Sequence, residues 1–152
     1  TQTNAFCSVL DVVCYLADYL TVVDLRLLQN LYPGFPVFVY VTTSSDVKAE
    51  TDVCCTSSNA LKVVDSLNAK QVIFLPDQHL ANYVAKQTKV KIISWKGSCI
   101  VHEQFSAKEI EDIRENNTGI NVIGHPECPS DVLEAGDFDG STGGTSDDVN
   151  KN

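Results

Sequence analysis

The residues with most chemistry in them fall on a few short stretches. In "IISWKGSCIVHEQF", residues 92–105, an apolar run ends at Trp95 and a Lys-Gly-Ser turn follows. Cys99, His102 and Glu103 then come within five residues of one another. A thiolate ligates soft metals or attacks as a nucleophile, and an imidazole moves protons near neutral pH. In "INVIGHPEC", His125 and Glu127 flank a proline, which fits an acid–base pair on a stiffened backbone, and Cys128 follows directly.

Hydroxyls form a second set. Ser57 and Ser58 in "TSSNA" precede a helix pattern, and Ser141-Thr142 precede Gly143-Gly144. Unpaired backbone N–H groups at such places, with hydroxyls beside them, suit a carboxylate or phosphate. For Ser57 or Ser58 alone, simple helix capping is the competing account. Taken alone, His102 and His125 read as core histidines and Cys99 as a buried apolar thiol. Their common position after strands is what argues for function. His79, on a helix between two strands, reads as a surface residue.

The elements that must position these residues alternate. "PVFVYVTT" (36–43), "DVCC" (52–55), "QVIFLP" (71–76), "KIISW" (91–95) and "INVIGHP" (120–126) read as strands, and most are apolar on both faces. A parallel sheet covered by helices on both sides requires that pattern. "SSNALKVVDSLNA" places Leu61, Val64 and Leu67 on one helical face. "PDQHLANYVAKQT" does the same with Leu80, Tyr83, Val84 and Gln87, and "SAKEIEDIREN" opens on a Ser106/Glu109 capping box. The fold class is therefore α/β, a three-layer αβα arrangement with a parallel sheet. Ligands of such sheets bind beyond the carboxyl ends of the strands, where Tyr40, Ser57, Cys99 and His125 all fall.

Composition sets limits. The chain has 152 residues, 43% hydrophobic and 20% charged, with net charge −9. No Lys/Arg cluster offers phosphate counterions a replacement, so a nucleic-acid partner is not expected. No run approaches the roughly 18 apolar residues of a membrane span. The apolar start is interrupted by Asp11 and Asp18 and lacks a basic segment before it, so it does not read as a signal peptide. Residues 15–32 read as an amphipathic helix packed on the sheet, and the polar tail after Gly144 as mobile. The six cysteines, Cys7, Cys14, Cys54, Cys55, Cys99 and Cys128, read as unpaired thiols of a reducing compartment, with adjacent Cys54 and Cys55 both buried.

The segments "VYVTTSSDVKAETDVCCTSSNALKVVDSL", "VIFLPDQHLANYVAKQT", "IISWKGSCIVHEQF" and "HPECPSDVLEAGDFDGST" resemble quinolinate synthase, the iron–sulfur family of NAD biosynthesis, in continuous register from about residue 24 to 142. The resemblance implies three similar α/β domains around a [4Fe–4S] cluster held by one cysteine from each. It implies condensation of iminoaspartate with dihydroxyacetone phosphate to quinolinate, in the cytoplasm. Carried over residue by residue, Cys99 and Cys14 become metal ligands, with Cys7 as the other register for the first. Tyr40, His125 and Glu127 become catalytic residues, and Thr42, Ser57, His102, Ser141 and Thr142 bind substrate. Thr42 stands where the family has asparagine, and Val13-Cys14-Tyr15 where it has Gly-Cys-Ser.

On this reading residues 1–35 are the remnant of a preceding domain, 36–118 a complete α/β domain, and 119–152 the start of a following one. The chain alone is then expected to be inactive and to fold without iron. Two cysteines do not hold the cluster as three do, so it should be absent or weakly bound unless Cys128 or an external thiol helps. Missing domains or homo-oligomerisation would complete the site. The competing accounts are a non-catalytic α/β module, natural or engineered, and a small anion-binding protein using the serine sites.

Overall fold

Apolar strands alternate with amphipathic helices through most of the chain, and a computed structural model shows how they stack. It describes residues 20–141, 143 and 144. Among these, β1 (Val37–Tyr40), β2 (Val53–Cys55), β3 (Gln71–Leu75) and β4 (Lys91–Ser94) form a wholly parallel sheet in the order β2-β1-β3-β4. The period of two along each strand divides the core into two layers. Phe38, Val72 and Phe74 face α3 (Ala60–Ser66) and α4 (Gln78–Ala85), meeting Val64, Leu80 and Val84. Val37, Val39, Ile73 and Leu75 face the opposite side, where α1 (Val22–Leu31) contributes Leu25 and α2 (Ser45–Ala49) contributes Val47. This is the expected three-layer α/β arrangement.

Helix starts follow local rules. Thr21 caps α1 in a capping box with Asp24, and Asp77 caps α4 through His79 N and Leu80 N. The Ser106/Glu109 capping box opens α5 (Ala107–Asn116) as its sequence predicts. After α1, Gly34 takes φ 79°, a left-handed conformation open to glycine, and the chain turns into β1.

Beyond α5 the pairing changes. β5 (Ile123–Gly124) and β6 (Phe138–Asp139) pair in parallel with each other, separate from the main sheet, and α6 (Ser130–Ala135) connects them. Arg114 on α5 ties this unit on by donating to Asp137 Oδ2 at 2.6 Å and Ala135 O at 3.1 Å. The apolar run 120–126 therefore yields only two residues of strand, because its partner strand is equally short.

Several expectations need correction. Helix α3 begins at Ala60 with Asn59 as N-cap, so neither Ser57 nor Ser58 caps it; residues 57–59 form a turn instead. Leu67, expected on the packed face, falls after α3 and is exposed. Cys54 points to solvent while its neighbour Cys55 is buried, since adjacent strand residues face opposite ways. The four cysteines among the described residues are unpaired thiols, as expected; Cys7 and Cys14 lie outside that set. So do the first part of the predicted N-terminal helix and the polar tail.

Candidate functional site

In the order β2-β1-β3-β4, successive strands are added to opposite sides of β1, so the strand order reverses between β1 and β3, and the crevice at such a reversal is where open parallel sheets bind ligands. Tyr40 is the last residue of β1, and Pro76-Asp77 follow β3 at that point. The turn after β2 brings in Ser57, the loop after β4 brings in Cys99 and His102, and the segment after β5 brings in His125, Glu127 and Cys128. Residues far apart in sequence thus meet at the carboxyl edge of the main sheet, the last three supplied by the separate β5-β6 unit.

Glu127 is the centre of the cluster and only 5% exposed. Its Oε2 is 3.8 Å from His102 Nδ1 and its Oε1 is 3.9 Å from His125 Nδ1. The two imidazoles stack with centroids 5.3 Å apart and planes 5° from parallel. Ser57 Oγ lies 3.4 Å from His125 Nε2. The Glu127 backbone N–H points at His125 Nδ1 at 3.4 Å, which makes Nδ1 the acceptor and Nε2 the N–H that faces Ser57 in the neutral ring.

The electrostatics follow from burial. Desolvation, then the hydrogen bond to Glu127, pushes the Tyr40 phenol well above its ordinary value, so it stays a proton donor. Desolvation lowers His125, outweighing the opposing pull of Glu127, and keeps the imidazole neutral near physiological pH. Cys55, under the same carboxylate, is pushed up to about 12, chiefly by burial. Burial also raises Cys128, and Cys99 is near enough to add to that effect.

Two buried atoms of this cluster, His102 Nδ1 and Glu127 Oε1, have no hydrogen-bond partner among the described residues. Buried polar atoms are rarely left so. His102, His125 and Glu127 could be suspected of gripping a cation together. A metal lies close to the plane of each imidazole that ligates it, so a shared ion would need these near-parallel rings to be close to coplanar. His125 Nδ1 is also already taken by the Glu127 N–H. As arranged, the trio also offers hydrogen bonds to a polar ligand.

The sequence-predicted residues divide accordingly. Tyr40, Ser57, His102, His125 and Glu127 come together in one cluster. Cys99 lies half-buried on the loop after β4, beside the cluster, with its backbone N–H on Asp77 Oδ2 at 2.9 Å. Ser141 follows β6 and accepts from Gly144 N. Thr42 points to solvent, whereas its neighbour Thr43 is buried with an unpartnered hydroxyl. Thr142 and Cys14 lie outside the described residues. His79, expected at the surface, is largely covered and pairs with Glu103 Oε1 at 2.6 Å through Nε2. Sequence reading passed over Asp77, although Pro-Asp before a helix pattern is an N-cap signal that could have singled it out.

A parallel α/β domain with a hydroxyl–imidazole–carboxylate site at its strand-order reversal is the class that fold and site define. The family model described as quinolinate synthetase A protein matches residues 2–152. The chain is 54% identical over 138 residues to "Quinolinate synthase 2" of Mesorhizobium japonicum, an alignment covering 91% of this chain and 43% of that protein. It is 56% identical over 131 residues to the quinolinate synthase of Sinorhizobium fredii, covering 86% and 36%. With the quinolinate synthase of Xylella fastidiosa it shares 54% over 136 residues, covering 90% and 40%. The chain belongs to the quinolinate synthetase A family. It spans about two fifths of the length of these curated relatives.

Proposed function

We propose that the chain is the part of a cytoplasmic quinolinate synthase that supplies the middle domain, residues 36–118, with portions of its neighbours on either side. In this reading the complete protein condenses iminoaspartate with dihydroxyacetone phosphate to quinolinate for NAD biosynthesis, and this chain alone is inactive. The observation that carries the reading is the convergence of Tyr40, Ser57, His125 and Glu127 at the strand-order reversal.

The described donor set fits one corner of an iron–sulfur cluster. Cys99 offers a soft thiol on the same edge as the substrate groups, and Cys14 is the proposed second ligand. A [4Fe–4S] cluster with one open iron would supply a Lewis acid to a substrate carboxylate or departing hydroxyl. The chain's own residues do the rest. Ser57 donates to a substrate anion while His125 Nε2–H orients its hydroxyl. The Tyr40 phenol, held protonated, donates to a developing oxyanion, as preorganised donors do. Glu127 accepts that phenol's hydrogen bond and stabilises a proton arriving on either imidazole. Thr42, Ser141, Thr142 and His102 complete the substrate contacts in this proposal.

The test is a hybrid enzyme in which residues 20–141 replace the matching segment of the Mesorhizobium japonicum relative. Quinolinate should form from the two substrates, and Tyr40→Phe or Glu127→Gln should each lower kcat by about 100-fold or more. A folded hybrid that keeps full activity after both substitutions would sink the assignment.

A further inference from the structure

Three consecutive residues after β3 each hold the loop that carries Cys99. The Asp77 carboxylate accepts from Cys99 N at 2.9 Å, Gln78 N donates to Gly97 O at 2.8 Å, and His79 Nε2 pairs with Glu103 Oε1 at 2.6 Å. Glu103 also hydrogen-bonds Ser98, and its N–H donates to Cys99 O at 3.0 Å. Contacts to residues 97, 98, 99 and 103 thus brace the loop on both sides of Cys99 along the chain.

Asp77 is the member whose place needs explaining. It is 0% exposed, and burying a carboxylate is costly unless its oxygens are well supplied with donors. They are: Oδ1 accepts from His79 N at 2.6 Å and Leu80 N at 3.0 Å, while Oδ2 accepts from Cys99 N. One oxygen caps α4 and the other fixes the Cys99 backbone. Capping alone would be served by a serine, threonine or asparagine at this position. Only a side chain with two acceptor oxygens both starts the helix and holds the loop.

We propose that Asp77 is a positioning residue for Cys99, with His79–Glu103 as the outer clasp of the same loop. The inference rests on the reading of Cys99 as a cluster ligand, and it adds how the thiol is held at the sheet edge before any metal arrives. Preorganising a ligand backbone in this way removes ordering that metal binding would otherwise have to supply. Asp77→Asn is the selective perturbation. An asparagine has one oxygen and one N–H₂, so either the helix cap or the Cys99 contact must face a donor. Asp77→Ser keeps the cap and abandons the loop.

The experiment uses the whole 152-residue chain without metal. Amide hydrogen exchange at Cys99 and mass-mapped alkylation of its thiol are followed in wild type, Asp77→Asn and Asp77→Ser. Loss of one charge-assisted hydrogen bond should speed Cys99 amide exchange by about tenfold or more, while amides of Val39 and Ile73 in the sheet stay unchanged. Alkylation of Cys99 should change in both variants, and His79→Ala should give a smaller effect in the same direction. Reconstitution of the hybrid enzyme with iron and sulfide is a separate readout, with lower iron retention expected when it carries the Asp77 variants. If the hybrid takes up no iron but exchange in the chain responds as stated, the positioning role stands and the cluster reading falls. Wild-type Cys99 exchanging as fast as the exposed Val101 amide would overturn the proposal without any variant. So would unchanged exchange and alkylation in folded Asp77→Ser.

Discussion

Replacing Glu127 by glutamine should make this chain more stable while disabling the site. Glu127 is 5% exposed, and its Oε1 lacks a donor among the described residues. Facing it, His102 Nδ1 is buried and equally without a partner, 3.8 Å from Oε2. The amide keeps the side chain's shape and an oxygen for the Tyr40 phenol. With its oxygen at the Oε2 position for that phenol, its nitrogen replaces the unpartnered Oε1 and the buried charge is removed. Leaving a buried polar group unsatisfied costs about 1–3 kcal/mol, and the substitution should recover that amount. With a urea dependence of about 2 kcal/mol per M for a domain of this size, the unfolding midpoint should rise by about 0.5–1.5 M. The assay is urea denaturation of wild type and Glu127→Gln at neutral pH, read by far-ultraviolet circular dichroism. A midpoint lowered by 0.5 M or more would refute the reasoning. It would mean that Glu127 is already held favourably by Tyr40 and the two imidazoles. A rise in stability together with lost activity in the hybrid would mark a site kept strained for function.

Other outcomes follow from the same structure. Phe74 is fully buried and stacks on Phe38 at 6.2 Å between centroids, so Phe74→Ala should cost about 3–5 kcal/mol, read in the same urea assay; a loss under 1 kcal/mol would contradict the core assignment. His125 is lowered from its ordinary 6.5, so the unfolded chain binds a proton that the folded chain refuses. Stability should therefore fall as pH drops below 6.5 and level off below the folded value, and His125→Asn should flatten that part of the profile in urea titrations across pH. Under native conditions iodoacetamide should modify exposed Cys54 faster than Cys55, whose thiol is pushed from 9.0 to about 12, by two to three orders of magnitude in mass-mapped kinetics. Comparable rates would show that the β2 edge opens readily.

How much of this was legible in advance depends on how local the cause is. The both-faces-apolar runs at 36–43 and 71–76 were enough to call for a parallel sheet under two helical layers, because period and polarity act within a single element. The Ser106/Glu109 capping box was equally plain, since its hydrogen bonds close within three residues. So was the common edge of Tyr40, Ser57 and Cys99, which follows from strand direction once the sheet is parallel, whereas His125 arrives from the separate β5-β6 pair. Family motifs carried the rest of the site list. What the sequence could not decide were matters of partner and orientation. The run at 120–126 looks as strand-like as any, yet only Ile123–Gly124 pair, because a strand extends only as far as its neighbour does. Cys54 and Cys55 look alike in sequence, and only the register of an edge strand sends one to solvent and the other inward. His79 was read as surface because its partner, Glu103, is 24 residues away and arrives only when the β4 loop folds back over α4. Asp77 gives the same lesson with more consequence. Its helix cap is a local property written in Pro-Asp-Gln, but its hold on Cys99 exists only because β3 and β4 are neighbours and their exits converge. Local hydrogen bonds and periodicities are encoded residue by residue. The contact between two loops is a property of the sheet that brings them together.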